Sequence, residues 1–111
     1  MMHDEALSHA GEIAVIFVSH RTGEDETGYA AASDAMVELA ARQPGYRGIV
    51  SARGEDGTGI TVSYWTDEAA AIAWRAHPDH AAIRDQGRAR WYDRYEVAVA
   101  AVPRSYDWRR G

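Results

Sequence analysis

Between Thr61 and Val102 the apolar positions alternate, then recur at helical spacing, then alternate again. The stretch TVSYWTDEAAAIAWRAHPDHAAIRDQGRARWYDRYEVAVAAV reads as a strand, a helix holding Trp74, a break at His77-Pro78, a second helix and a closing strand. Gly59 to Trp65 is the strand. Thr66 is the expected N-cap of the first helix, with Asp67 and Glu68 in its first turn, where carboxylates favour the helix dipole. That helix runs to about Ala76. Proline pushes the residue before it out of helical geometry, so His77 marks a bend and Pro78 opens a new helix reaching about Trp91. Tyr95 to Arg104 is the closing strand, where Pro103 ends the pairing.

Upstream, Glu12 to Arg21 (EIAVIFVSHR) is rich in branched residues, which favour a strand. One face carries Ile13, Val15, Phe17 and Ser19, the other Ala14, Ile16, Val18 and His20. With both faces apolar, the strand is expected to be covered from both sides. Gly28 to Arg42 places Tyr29, Ala32, Met36, Leu39 and Ala40 at helical spacing, and Gln43-Pro44-Gly45 stops it. Tyr46 to Arg53 is a strand and Gly54 to Gly57 a hairpin turn. The GEDGTG run has no P-loop lysine and leads into a strand, so it is a turn and not a phosphate cradle.

The order β-α-β-β-α-β predicts an α+β, ferredoxin-like domain over residues 12–104: a four-stranded antiparallel sheet with helices on one face. The opposite apolar face then needs a partner sheet, which a homodimer supplies. Residues 1–11 are expected to be a flexible leader and residues 105–111 a tail. Tyr106 and Trp108 in that tail are expected to pack on the domain or on a second subunit, because a solvated tail rarely holds two aromatics.

Composition narrows the chemistry. At 111 residues the chain is one domain with a modest core, and 46% hydrophobic with 26% charged residues is ordinary for a globular protein. A net charge of −5 argues against nucleic acid, which needs a basic stripe. There is no Cys, hence no disulfide or thiolate; no Lys, hence no Schiff base; and no Asn. No apolar run approaches the ~20 residues of a membrane span, and residues 1–11 lack the pattern of a secretory signal, so a cytoplasmic protein is expected.

Candidate site residues concentrate near the helical break. Trp74 serves either as the wall of a pocket for a planar molecule or as a core indole. His77 either faces a substrate or caps the break through its ring nitrogen. His80, at the start of the second helix, and His20, at the end of the first strand and facing the sheet interior, are candidate general bases, since imidazole titrates near neutrality. Arg84 suits an acidic substrate group, or pairs with Asp79 or Asp85. Phe17, Tyr64 and Trp65 are candidate substrate contacts; Tyr64 and Trp65, with Trp91, Tyr92 and Tyr95, also suit the core and a dimer seam. His77 and His80 make a poor metal pair, because Pro78 intervenes and no third ligand has suitable spacing.

Taken together, IAVIFVSHR, QPGYRG, SYWTDEAAAIAW, HPDHAAIRDQGR and YEVAVAAVPRSY resemble the antibiotic biosynthesis monooxygenase family, from Glu12 to Tyr106. The resemblance implies a dimeric α/β barrel of two ferredoxin-like sheets. It also implies one of two activities: oxidation of quinol-type aromatics by O2 without a cofactor, or heme binding and degradation. The heme-degrading branch is similar at Trp74, but its first-strand Asn falls at His20 and its ligating His falls near Arg84. The expected function is a cofactor-independent monooxygenase acting on a small aromatic phenol or quinol, with His20 or His80 as base. The alternatives are a heme protein with His80 or His77 as axial ligand, and a dimeric binding or structural protein without chemistry.

Overall fold

The computed structural model describes residues 8–111, and its elements run β1 (Ile13–Arg21), α1 (Glu26–Ala41), β2 (Tyr46–Arg53), β3 (Thr58–Trp65), α2 (Glu68–Ala76), α3 (Pro78–Gln86) and β4 (Tyr92–Ala101). The strands form one antiparallel sheet in the order β2-β3-β1-β4. This is the ferredoxin-like α+β fold, in which β3 inserts between the two strands joined by α1.

Register decides what each face of the sheet carries. Val15 lies opposite Ser63 and Val99, and Phe17 opposite Thr61 and Val97, all on the side of the helices. The other side carries Ile16 opposite Val62 and Ala98, and Val18 opposite Ile60 and Glu96. Val50, on the same side, pairs with Val62. The expectation that β1 is covered on both sides therefore holds for one side only within a single chain. On the far side Val50 is 59% exposed and Ile60 47%.

Local chemistry explains where the helices begin and end. Asp25 caps α1 from a left-handed conformation (φ 54°, ψ 56°), its side chain accepting the Gly28 N–H, so α1 starts two residues before the apolar spacing begins. Gly45 (φ 83°) closes the turn after α1, where a Cβ would stand 2.5 Å from the Ala70 side chain. Asp67, rather than Thr66, caps α2 by accepting the Ala70 N–H at 2.8 Å. His77 is extended (ψ 128°) as the residue before proline must be, and its Nδ1 accepts the Asp79 N–H at 3.2 Å to cap α3.

The helix after the break reaches Trp91 as expected: α3 ends at Gln86, and Gly87–Trp91 continues it as a wider π-helical turn closed by the Tyr92 N–H on the Gly87 carbonyl. The strand after it begins early, and the cause is the connection between β1 and α1. The Thr22 N–H (2.9 Å) and the Arg21 Nε–H (3.1 Å) both bond the Trp91 carbonyl, which starts β4 at Tyr92, three residues early.

The fully buried core is small. Ala40, Trp65, Ala71 and Trp74 cluster at one end of the sheet, and Trp91 is buried separately beside Tyr29. A buried indole removes ~200 Å2 from water, on the order of 5 kcal/mol gross, so three Trp carry much of this small domain. Of the expected leader, residues 1–7 lie outside the described residues. His9 to Gly11 are not loose: the Gly11 N–H bonds the Val102 carbonyl, and His9 stacks on Tyr64 and meets Glu12 at 2.6 Å. In the tail, Tyr106 is 93% exposed and Trp108 76%, so within one chain these aromatics do not pack. Among the described residues no helix is long and apolar enough to cross a membrane.

Candidate functional site

Small buried clusters at both ends hold the helices off the sheet, and between them lies a cavity of about 450 Å3. This is the size range of pockets for drug-sized ligands. Its floor is the helix-facing side of all four strands, from Ile49 and Ser51 through Thr61, Ser63, Val15 and Phe17 to Val97 and Val99. Its roof is α1, through Tyr29, Ala32, Ser33 and Met36, with Trp74, His80, Ile83 and Arg84 from the bent α2–α3 pair. Trp91, Tyr92 and Tyr95 line its far end.

The lining is mostly apolar, with two kinds of polar group. Hydroxyls sit on the floor, where Ser51 and Thr61 bond each other at 2.8 Å and Ser63 accepts the Trp65 indole N–H at 2.9 Å. The basic groups Arg75, His80 and Arg84 sit together where α2 meets α3, and among the described residues no Asp or Glu lines the cavity.

His80 is the group built for proton transfer. Its ring lies 4.2 Å from the Trp74 indole, 16° from parallel. Its Nδ1 stands 2.9 Å from the Trp74 backbone oxygen. A carbonyl can only accept, so Nδ1 carries the proton and Nε2 of the neutral ring keeps its lone pair. Burial, aided by the positive Arg84 and Arg75, holds the imidazole below its ordinary pKa and outweighs the opposing pull of that hydrogen bond. His80 is therefore neutral, and basic at Nε2, near pH 7.

At the opposite end, Tyr29 lies under the Arg21 guanidinium, 3.6 Å from its ring centroid, and accepts from Arg53. Burial first, then the hydrogen bond with Tyr29, pushes the Tyr92 phenol well above its usual pKa. The Tyr92 phenol stays protonated and acts as a hydrogen-bonding wall, not as a base. Phe17 packs against Tyr92 and Tyr95 at 5.5 and 5.1 Å.

The structure thus gathers four of the eight expected site residues: Phe17, Trp74, His80 and Arg84. His20 is displaced to the other side of the sheet, bonded to Thr58 at 3.3 Å, because it alternates with Phe17 along β1. Tyr64 is on that side too, stacked on His9 at 3.6 Å. Trp65 is wholly buried behind Trp74, with ring centroids 5.8 Å apart. His77 spends its Nδ1 on the α3 cap and is tilted 6.1 Å from Trp74. Arg84 pairs with neither Asp79 nor Asp85; it donates to the Arg75 carbonyl at 3.1 Å. Sequence reasoning left Tyr29, Met36, Ile83, Val97 and Val99 out of the site. The signal available was register, since Phe17 pairs with Val97 and Val15 with Val99. Among the described residues no three His, Asp or Glu side chains converge in a way that could hold a metal ion.

Comparison with known proteins places this architecture among relatives. Residues 13–86 match the family model described as antibiotic biosynthesis monooxygenase. The uncharacterized protein YqjZ of Bacillus subtilis (strain 168) is 50% identical over 91 residues, covering 82% of this chain and 79% of that protein. The crystal structure of SnoaB, a cofactor-independent oxygenase from Streptomyces nogalater, superposes with a TM-score of 0.73 at 20% identity, covering 84% of this chain and 94% of that one. Rv0793 from Mycobacterium tuberculosis superposes with a TM-score of 0.72 at 20% identity, covering 81% of this chain and 93% of that one.

Proposed function

The chain belongs to the antibiotic biosynthesis monooxygenase family, and from that premise we propose that it is a cofactor-independent monooxygenase of small aromatic phenols. The observation that carries this reading is His80, neutral, with Nε2 free, at the polar end of an apolar cavity. A planar phenol lies between the sheet floor and the roof, against Trp74 and Phe17. His80 Nε2 takes its hydroxyl proton, and the electron-rich anion adds O2 at a ring carbon. Cleavage of the O–O bond with loss of water leaves a quinone. One oxygen atom enters the product, the other leaves as water, and the substrate supplies all four electrons. The protein binds, orients and deprotonates. SnoaB, a cofactor-independent oxygenase of the same fold, supports this chemistry. Oxygen uptake with 1-naphthol and related phenols, compared between wild type and His80→Ala, tests it; equal rates would remove it.

The same free nitrogen favours a second reading, in which His80 ligates a heme iron. A hemin titration separates the two, because only this reading expects a Soret band that disappears in His80→Ala.

The assembly we propose is a homodimer formed through the bare side of the sheet. Family members are commonly dimeric, and the exposed Val50 and Ile60 lie beside Val62, Ile16 and Val18 on one apolar surface.

A further inference from the structure

Arg84 runs along the roof of the cavity, one helical turn after His80. Its Nη1–H donates to the Arg75 carbonyl at 3.1 Å, which ties α3 to the end of α2 and fixes the guanidinium plane. Its Nε–H is shielded from solvent and meets no acceptor. Among the described residues no carboxylate lies within ion-pairing distance of it. A half-sheltered cation without a counter-ion costs free energy that a bound anion would return. The lining is also selective: in a chain of net charge −5, the described residues place three basic groups and no acidic one around this cavity.

We infer that the molecule bound here is a hydroxyaryl carboxylate, its carboxylate received by the guanidinium of Arg84 and its hydroxyl by Nε2 of His80. The inference rests on the reading of the cavity as the substrate site, though not on the oxygen chemistry. Residues four apart on a helix present their heads to the same side. His80 and Arg84 therefore address one edge of the ring, and the inferred ligand carries its two groups on adjacent carbons. Arginine suits this position because its planar fork matches a carboxylate with two parallel hydrogen bonds.

The test is affinity without turnover: quenching of tryptophan fluorescence under argon by 1-hydroxy-2-naphthoate, 1-naphthol and 6-hydroxy-2-naphthoate. The adjacent hydroxy acid should bind roughly tenfold to a hundredfold tighter than 1-naphthol, the value of a charge-assisted hydrogen bond. It should also bind tighter than the 6-hydroxy isomer, whose groups lie across the ring system. Arg84→Gln, which keeps a donor for the Arg75 carbonyl, should bring the adjacent acid and 1-naphthol together. Arg84→Lys should retain part of the difference and serves if the Gln variant does not fold. A purely bracing role for Arg84 would lower stability and leave the affinity ratio unmoved. Equal affinities in the wild type, or a ratio unchanged in both variants, would overturn the inference while the cavity reading stands. Failure of all three ligands to bind would overturn both.

Discussion

The imidazole of His80 is fixed twice by one residue: its plane by the Trp74 indole, 4.2 Å away, and its tautomer by the Trp74 carbonyl, 2.9 Å from Nδ1. Pro78 makes this possible: as the residue four after Trp74 it has no N–H to give, so the Trp74 carbonyl, which takes the His77 N–H at 3.1 Å, has a lone pair left for His80. His77 caps the new helix, so the corner is stable without help from the ligand. A base that lines the cavity, held in one tautomer with Nε2 unbonded among the described residues, is already organised before substrate arrives.

Activity should follow the ionisation of His80. The competent form is neutral, and burial lowers the folded pKa from its ordinary value of 6.5. The acid limb of kcat/KM should therefore fall below pH 6.5, with a plateau through neutrality. Stability follows the same sign: below pH 6.5 the unfolded chain takes up the proton before the folded one, so folding weakens as the pH drops. His80→Ala should cost roughly a hundredfold or more in kcat and remove that limb. A pH–rate profile unchanged in the variant would rule His80 out as the base.

Much of the fold can be read from the sequence, because alternation and helical spacing are strong in β1, β3 and α2. The face of each strand could not be read. In β1 both parities are apolar, Phe17 with Val15 and His20 with Ile16 and Val18, since one face floors a cavity and the other lies bare. Period alone cannot tell those two fates apart, so His20 faces away from the cavity against expectation, and Tyr64, open to either role, falls on the bare side. The start of β4 was hidden for another reason. Arg88, Arg90, Asp93 and Arg94 suggest a solvated helix, while the hydrogen bonds that pull Trp91 and Tyr92 onto β1 come from Arg21 and Thr22, some seventy residues away. Trp74 and His80 were legible because the Pro78 break confines both to one corner.

Trp74 has two roles that substitution should separate. Trp74→Ala leaves a void between Trp65 and the His80 ring and should cost ~3–5 kcal/mol in denaturant unfolding. Trp74→Phe refills most of the space and should cost only a fraction of that. Because the backbone carbonyl survives in both, His80 keeps its tautomer. The Phe variant should retain measurable oxygen uptake with weakened substrate binding. An Ala variant as stable as the wild type would mean that the indole is not part of the core.

The bare sheet face predicts the assembly. Val62 stands mid-sheet on that side, between Ile16 on β1 and Val50 on β2. Sedimentation at micromolar concentration should give two chains for the wild type and one for Val62→Arg, since a buried, unpaired guanidinium in an apolar seam is strongly disfavoured. The exposed Tyr106 and Trp108 should become protected from fluorescence quenchers only in the dimer. A monomeric wild type would leave this surface without its proposed partner.

Asp25 ties the start of α1 to Trp91 at the far end of the cavity, and its substitutions should rank in a definite order. One carboxylate oxygen accepts the Gly28 N–H at 3.2 Å to cap α1, and the other accepts the Trp91 indole N–H at 3.2 Å. Asparagine tolerates the left-handed backbone but offers one acceptor for these two donors, so Asp25→Asn must lose either the cap or the Trp91 bond. Alanine loses both and adds strain at φ 54°. Melting temperatures should fall in the order wild type, Asn, Ala, with the near-ultraviolet dichroism of Trp91 weakened in the Ala variant. The hydrogen bond from Trp91, foremost among the causes, lowers the Asp25 pKa below its ordinary 3.8. Its contribution is thus full above pH 3.8 and is lost as the pH falls through the lower folded value. The gap between wild type and Asn variant should close over that window. A constant gap would mean that the indole bond contributes nothing to the charged form.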